Sequence, residues 1–236
     1  MLITFPNAFG NAAQNMAVDA TLLETLPADS ALFRHYGWTE PSITIGYTQK
    51  YTSVAKIVDL ECAICRRITG GGLVDHRNDW TYALIFGHQL APQQLTANEL
   101  YARIHGCIQS ALAPQAVVTH AAPCPRSCST TSPARSSAEC FKAPVQHDLL
   151  NPDKQKLAGA AIKRTRRGLL IQGSIDRSKL PLNFDDRQFT SQLLETLAKH
   201  FQLKQIPLDD YRHLLPKQRV AELRQQFSSE SWTQKR

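Results

Sequence analysis

The chain has 236 residues, 42% of them apolar, which is enough for one large domain or for a domain with a small appendage. No apolar run approaches the ~20 residues that span a bilayer, and the N-terminus lacks the basic and apolar regions of a secretory signal. We therefore expect a cytoplasmic protein with no membrane partner. Twenty-seven Lys and Arg against 20 Asp and Glu give a net charge of +7, which favours an acidic partner: nucleic acid, an anionic membrane or an acidic protein.

Four segments place apolar residues at the spacing of a helix with one buried face. They are residues 15–26, 97–112, 187–201 and 217–227. Asn11 and Asn15 are both available to cap the first of them, because a side-chain oxygen at that position accepts from the free N–H groups of the first turn.

Six short segments have the character of strands. Three of them lie at 42–47, 63–68 and 80–86. The other three lie within 147–175 and are joined by turns. Residues 80–86 are apolar on both faces, so we expect this strand to be central in its sheet. Because runs of strands lie between helices along the chain, the predicted fold class is α+β, with mixed or antiparallel sheets flanked by helices. Residues 119–139 lose all periodicity, and loops this long are functional or disordered.

The stretch 66–76, RRITGGGLVDH, places two arginines before three consecutive glycines and a histidine after them. It lacks the lysine and Ser/Thr of a P-loop and the G-x-G-x-x-G spacing of a dinucleotide-binding loop. The residues alone leave two interpretations open. One is a flexible hairpin tip; the other is a concavity of glycine N–H groups that binds an anion beside arginine.

The cysteines give no clear redox or metal pattern. Cys62 and Cys65 have the spacing of a thioredoxin motif, but they fall in a predicted strand, and we expect buried structural thiols there. Cys124, Cys128 and Cys140, with His120 nearby, match no common zinc spacing, so no metal site is predicted.

Lys156 follows Cys140 by sixteen residues and opens the segment KLAGAAIKR. The small residues after the lysine suit a strand that approaches a ligand or another backbone closely. From the residues alone, however, a solvated lysine at a strand edge is the simpler interpretation.

Four stretches, taken in order, resemble the superfamily of lipoate–protein ligases and octanoyltransferases, which shares its fold with biotin–protein ligases. They are NMAVDATLL, PSITIGYTQ, RRITGGGLVDH with DWTYALI, and KLAGAAIKRTRRGLLIQGSI, and they span most of residues 15–175. Thr69 stands where the motif usually has serine, and Gln172 where histidine is usual. The resemblance implies the biotin/lipoyl protein ligase catalytic fold for residues 1–236, as one catalytic domain without an accessory C-terminal domain.

The resemblance also implies roles for individual residues. In this family the glycine stretch lines the pocket for a medium-chain acyl group, and a lysine at the position of Lys156 lies against the acyl carbonyl. Cys140 and Lys156 are therefore the implied catalytic residues, with His76 or His147 as candidates for moving a proton. The residues implied for acyl and carbonyl binding are Arg67, Thr69, Gly70, Gly71, Gly72, His76, Gly159 and Ala160.

Two branches of the superfamily compete. Ligases use ATP and magnesium to make lipoyl-adenylate, whereas octanoyltransferases take octanoyl from acyl carrier protein and need no cofactor. Cys140 resembles the cysteine of one octanoyltransferase branch, and the chain has little room for the accessory domain of many ligases; both features favour transfer.

The implied partners are acyl carrier protein as donor and a lipoyl-domain protein as acceptor, such as glycine cleavage H protein or a dehydrogenase E2 subunit. A basic, non-catalytic binding protein on the same scaffold is the remaining alternative. No helix-turn-helix segment is visible, so nucleic acid is not an expected partner.

Overall fold

The computed structural model describes residues 1–58, 61–123, 144–207 and 212–236. The strands are β1 (Leu2–Thr4), β2 (Ala8–Gly10), β3 (Ala31–Trp38), β4 (Ser42–Ile45), β5 (Ala63–Arg66), β6 (Val74–Asp75), β7 (Asp79–Gly87), β8 (His120–Ala121), β9 (Leu149–Leu150), β10 (Lys156–Arg164), β11 (Gly168–Asp176) and β12 (Gln205–Pro207). The helices are α1 (Ala12–Thr25), α2 (Tyr51–Val54), α3 (Ala97–Leu112), α4 (Asp186–His200), α5 (Lys217–Ser228) and α6 (Glu230–Thr233). No helix within these ranges is long and apolar enough to cross a membrane.

The strands form two mixed sheets. The large sheet has the order β12-β1-β3-β7-β11-β10-β9-β8, with β2 also paired to β3. Its β12-β1-β3 end and the β2–β3 pair are parallel, and the remaining neighbours are antiparallel. The small sheet has the order β5-β4-β6, with β4 parallel to β5 and antiparallel to β6.

Helices cover both faces of the large sheet. Helices α3 and α4 pack on one face, against the even-numbered side chains of β7 from Trp80 to Phe86. Helices α1 and α5 pack on the other face, against Ala83 and Ile85 of the same strand. Because successive side chains of a strand point to opposite faces, β7 serves both layers through its unbroken apolar run from Tyr82 to Phe86. The prediction that this strand is central is therefore confirmed.

The predicted helices are confirmed, and local capping explains where two of them begin. Helix α1 begins at Ala12, three residues before the predicted start, because the Asn11 side chain accepts from the Gln14 N–H. Helix α3 has the predicted bounds, with a capping box between Thr96 and Glu99.

The predicted strands are also confirmed, but the sequence patterns missed several others. Strands β4, β5, β7, β9, β10 and β11 lie where they were expected, whereas β1, β2, β3, β6, β8 and β12 were not identified. Cys62 and Cys65 are buried free thiols, as predicted. Most of the long segment 119–139 lies outside the described residues.

Candidate active site

A cleft of about 840 Å³ opens between the segment that contains the three glycines and strands β10 and β11. This volume is in the range of small-molecule sites. The predicted site residues that line it are Arg67, Gly71, Gly72, His76, Lys156, Gly159 and Ala160. Thr69 and Gly70 do not line it, and Thr69 is fully buried. Cys140, together with Cys124 and Cys128, lies outside the described residues.

Arg67 holds the glycine stretch in place. Its Nη2 donates to the carbonyls of Gly70 and Gly72, both at 2.6 Å. Its Nη1 donates to the backbone and hydroxyl oxygens of Thr44, both at 3.2 Å, and its Nε donates to Thr69 Oγ1 at 3.1 Å. All five N–H donors of the guanidinium are therefore used within the chain. In this structure its guanidinium orders the loop, and its role in acyl and carbonyl binding stays a prediction.

Arg66 has a similar role on the opposite side of β5. Its guanidinium donates to the carbonyls of Gly46, Tyr47 and Gln49 and, twice, to that of Thr233. Neither arginine beside the glycines is thus a free anion-binding group. Burial lowers the pKa of Arg67 to about 10, so its guanidinium is still charged near neutral pH.

The fixed orientations of the Gly70 and Gly71 carbonyls determine where the N–H groups of the following residues point. In a trans peptide the C=O and N–H bonds point in opposite directions. Because the Gly70 carbonyl points to Arg67, the N–H of Gly71 points away from that buried guanidinium. The Gly71 carbonyl is packed against Gly46, where a Cβ would lie 2.0 Å from its oxygen, so the Gly72 N–H points away from Gly46. Within the described ranges, neither N–H donates to another group.

Gly71 requires glycine for its backbone conformation. Its φ is +81°, a region that residues with side chains rarely adopt. A Cβ at this position would also lie 3.0 Å from Arg67 Nη2 and 3.4 Å from the Cβ of Ala161. The glycine stretch is therefore an ordered loop seated on β10, and the interpretation as a flexible hairpin tip is wrong.

The two departures from the family motif are in direct contact. Thr69 Oγ1 donates to Gln172 Oε1 at 2.7 Å, and Gln172 Nε2 donates to Asp19 Oδ2 at 2.7 Å. Asp19 in turn forms a buried ion pair with Arg34 at 2.6 Å. This chain of hydrogen bonds connects the glycine loop to helix α1 beneath the cleft.

His76 lines the cleft but has an internal partner on each ring nitrogen. Nε2 lies 2.8 Å from Thr44 Oγ1, and Nδ1 lies 2.7 Å from Asp79 Oδ2. The Thr44 hydroxyl also accepts from Arg67, so the ring is held by the same residue that binds this arginine. Trp38 stacks on the ring with centroids 3.9 Å apart. The other histidine candidate, His147, uses its carbonyl to accept from His105 Nδ1.

Lys156 is held by an aspartate that the sequence patterns did not identify. Its Nζ lies 2.8 Å from Asp148 Oδ2, and the lysine side chain is 37% exposed whereas that of Asp148 is 2% exposed. A bulge between Lys156 and Ala158 directs the lysine over Gly159. A Cβ at Gly159 would lie 2.4 Å from the lysine Cε, so the small residue makes room for the ammonium itself. Lys156 is thus partly exposed and ion-paired, so it is not simply a solvated lysine at a strand edge.

The Lys156 ammonium and the glycine N–H groups are neighbours on one face of β10. Lys156 lies over Gly159, and Gly71 lies over Ala161. These two strand positions share a face and are separated by roughly 7 Å. Lys156, Gly71 and Gly72 all line the cleft along this face. This arrangement suits a carbonyl that becomes an oxyanion.

Two of the three described cysteines have thiols that burial keeps protonated. Burial raises the pKa of the Cys65 thiol to about 12 and that of Cys107 to about 11. Both are therefore protonated near neutral pH. Within the described ranges, no group of three or more His, Cys, Asp or Glu side chains is placed to hold a metal ion.

Comparisons with known proteins agree with this geometry. A family model described as the lipoyl protein ligase A/B catalytic domain matches residues 11–228. Octanoyltransferase LipM of Halalkalibacterium halodurans is 30% identical over 218 residues, which cover 85% of this chain and 75% of the relative.

Two solved structures show the same fold. Lipoate-protein ligase A bound with ATP has a TM-score of 0.70 at 15% identity, and the match covers 98% of this chain and 97% of that one. A bipartite lipoate protein ligase from Thermoplasma acidophilum, studied with its E2 lipoyl domain, has a TM-score of 0.66 at 14% identity, covering 98% and 95%.

The family model and the octanoyltransferase relative define the class as an acyl-transferring enzyme, and the solved structures show that it has the lipoate ligase fold. The chain belongs to the lipoyl protein ligase A/B catalytic domain family. The predictions of this superfamily, of its α+β fold and of an acyltransferase are thereby confirmed. The roles of the individual site residues stay predictions.

Proposed function

We propose that this chain moves an octanoyl group from acyl carrier protein to a lysine of a lipoyl-domain protein, through a thioester on Cys140. The observation that carries the proposal is the Lys156 ammonium beside the free N–H groups of Gly71 and Gly72. The octanoyltransferase named among the relatives supports the octanoyl group as cargo. The E2 lipoyl domain named with the Thermoplasma acidophilum ligase supports a lipoyl domain as acceptor.

Cys140 is the proposed nucleophile because it resembles the cysteine of one octanoyltransferase branch. Cys65 and Cys107 are excluded because burial keeps their thiols protonated. Val145 lines the cleft, and Cys140 precedes it by five residues. Five residues of chain span at most about 18 Å, so the cleft is within reach of this thiol.

The first half-reaction loads the enzyme. The Cys140 thiolate attacks the octanoyl thioester carbonyl, a carbon–sulfur bond forms, and the carbonyl oxygen becomes an oxyanion. The Lys156 ammonium and the N–H groups of Gly71 and Gly72 stabilise that oxyanion. When it collapses, the bond to the carrier breaks, and the carrier leaves as a thiolate that takes up a proton.

The second half-reaction transfers the group to the acceptor. The neutral amine of the acceptor lysine attacks the octanoyl-cysteine carbonyl, which passes through a second oxyanion in the same position. Collapse breaks the bond to Cys140, restores its thiolate and leaves an amide, and the nitrogen loses one proton. The protein supplies position and charge stabilisation in both steps, and neither step consumes ATP.

Intact-mass analysis tests this proposal. Incubation with octanoyl–acyl carrier protein in the absence of ATP should add one octanoyl group, which hydroxylamine should remove. Cys140→Ser should form no thioester, because a serine hydroxyl is far less ionised than a thiol near neutral pH. Cys65→Ser is the matched control and should still load. Transfer at the original rate by Cys140→Ala would refute the covalent mechanism.

The same preparation tests the ligase alternative. ATP-dependent exchange of labelled pyrophosphate on addition of lipoate or octanoate would establish adenylation. That result, together with no loading from the carrier protein, would replace the proposed function.

A further inference from the structure

Asp148 makes two contacts through one carboxylate oxygen. Its Oδ2 lies 2.8 Å from the Lys156 ammonium and accepts from the backbone N–H of Val145, also at 2.8 Å. The residue is 1% exposed. A buried carboxylate that contacts a partly exposed ammonium forms the fixed end of the pair, because the lysine has a long flexible stem and the aspartate does not.

The ammonium keeps donors for a substrate while it is held. A lysine ammonium has three N–H donors, and the contact with Asp148 occupies one of them. No second carboxylate pairs with Lys156 in the part of the chain that the structure describes. The remaining N–H groups are on a side chain that lines the cleft.

The backbone at Lys156 is held separately. Its carbonyl accepts from Lys179 Nζ at 2.7 Å, and Lys179 is itself paired with Asp176 at 2.7 Å. The lysine is thus restrained at its carbonyl by one contact and at its ammonium by another. The second restraint is the one that determines where the positive charge lies.

We propose that Asp148 is a positioning residue for acyl transfer: its carboxylate fixes the Lys156 ammonium at the place of the developing oxyanion. Through the Val145 N–H, the same oxygen also holds the backbone at Val145. This inference rests on the proposed function, and it adds a residue that never touches the substrate. Asp148 acts through Lys156, so its contribution should disappear when the lysine is absent.

The test is a double-mutant cycle with Asp148→Asn and Lys156→Met. Asparagine keeps the shape and an oxygen for the Val145 N–H, but it lacks the negative charge. Asp148→Asn should lower kcat for octanoyl transfer about 10- to 100-fold, since a displacement of about 1 Å costs on that order. KM for octanoyl–acyl carrier protein should change less than about twofold, because Asp148 is 1% exposed and offers no surface to a docking protein. Glu24→Gln, which removes the partner of Arg219 on helix α5, is the matched control and should leave kcat unchanged.

Two outcomes of the cycle have opposite meanings. If Asp148→Asn has no further effect in the Lys156→Met background, the aspartate acts through the lysine. An undiminished loss in that background, or a kcat equal to that of the unsubstituted protein in Asp148→Asn alone, would overturn the proposal.

A readout without catalysis separates this inference from the proposed function. Labelling with acetic anhydride, followed by peptide mass analysis, should modify Lys156 at least threefold faster in Asp148→Asn, because the amine is no longer restrained. Lys163 is the internal reference. Failure of the unsubstituted protein to load octanoyl would refute the proposed function. Equal labelling rates of Lys156 in Asp148→Asn and in the unsubstituted protein would refute the positioning role of Asp148.

Discussion

Gly159→Ala tests the geometry of the cleft with a single methyl group. The new Cβ would lie 2.4 Å from Lys156 Cε, 2.6 Å from its Nζ and 2.9 Å from Asp148 Oδ1. Ordinary contacts between carbon atoms are about 3.5–4.0 Å, so the ammonium must withdraw by at least about 1 Å. The φ of Gly159 is not positive, so alanine causes no backbone strain.

The expected loss of activity exceeds the loss of stability. A displacement of about 1 Å at the reacting centre costs about 100-fold in kcat, which is about 2.7 kcal/mol. Weakening the ion pair between Lys156 and Asp148 should lower the free energy of unfolding by about 1–2 kcal/mol, because one partner is buried and the other is partly exposed. For a chain of this size the melting temperature should fall by about 2–8 °C.

Steady-state octanoyl transfer and thermal unfolding, measured on the same preparation, check this prediction. Gly106→Ala is the control, because a Cβ at this helical position meets nothing within 4 Å. It should leave transfer unchanged and raise the melting temperature by about 2–4 °C, since alanine is about 1 kcal/mol more favourable in a helix. Transfer by Gly159→Ala within threefold of the original rate would refute the placement of the ammonium at the reacting carbonyl.

Three further predictions concern the cleft and its surroundings. Lys156→Met and Lys156→Arg should each lower transfer about 100- to 1,000-fold in a folded protein, and unchanged transfer in both would remove the lysine from the mechanism. Gly71→Val should lower transfer and also destabilise the fold by at least about 1–2 kcal/mol, because its φ is +81° and its side chain would press on Arg67; an unchanged melting temperature would contradict this. Burial lowers the pKa of His105, so its stabilising effect is present above about pH 6.5 and is lost as the pH falls. Between pH 7.5 and pH 5 the melting temperature of His105→Asn should therefore fall less than that of the unsubstituted protein. An equal fall in both proteins would assign the pH dependence to other groups.

The elements that sequence patterns predicted are those with local signals. Helix α3 has one apolar face and its own capping box, so nothing distant is needed to define it. Strand β7 was identified because both of its faces are apolar. Strands β1 and β12 are three residues each and pair in parallel although they are about 200 residues apart in the chain. No pattern within a short window indicates such a pairing.

Only those parts of the site that have a local sequence signal were predicted. The glycine stretch and Lys156 were found through motifs that a linear sequence displays. Arg67 was interpreted as an anion partner. The sequence does not show that the carbonyls of the glycine loop need hydrogen-bond donors, and this becomes visible only in three dimensions. Asp148 sits in the segment HDLL, where nothing distinguishes a buried carboxylate from a solvated one.

The hydrogen bond between Thr69 and Gln172 makes substitutions at these two positions depend on each other. A substitution at one of them alters the partner that the other requires, so their effects should depend on each other's presence. The two departures from the usual serine and histidine are thus the two partners of one hydrogen bond, and their effects on activity should not simply add. An engineer who restores the usual histidine at 172 alone would meet a threonine and an Asp19 that are arranged for an amide.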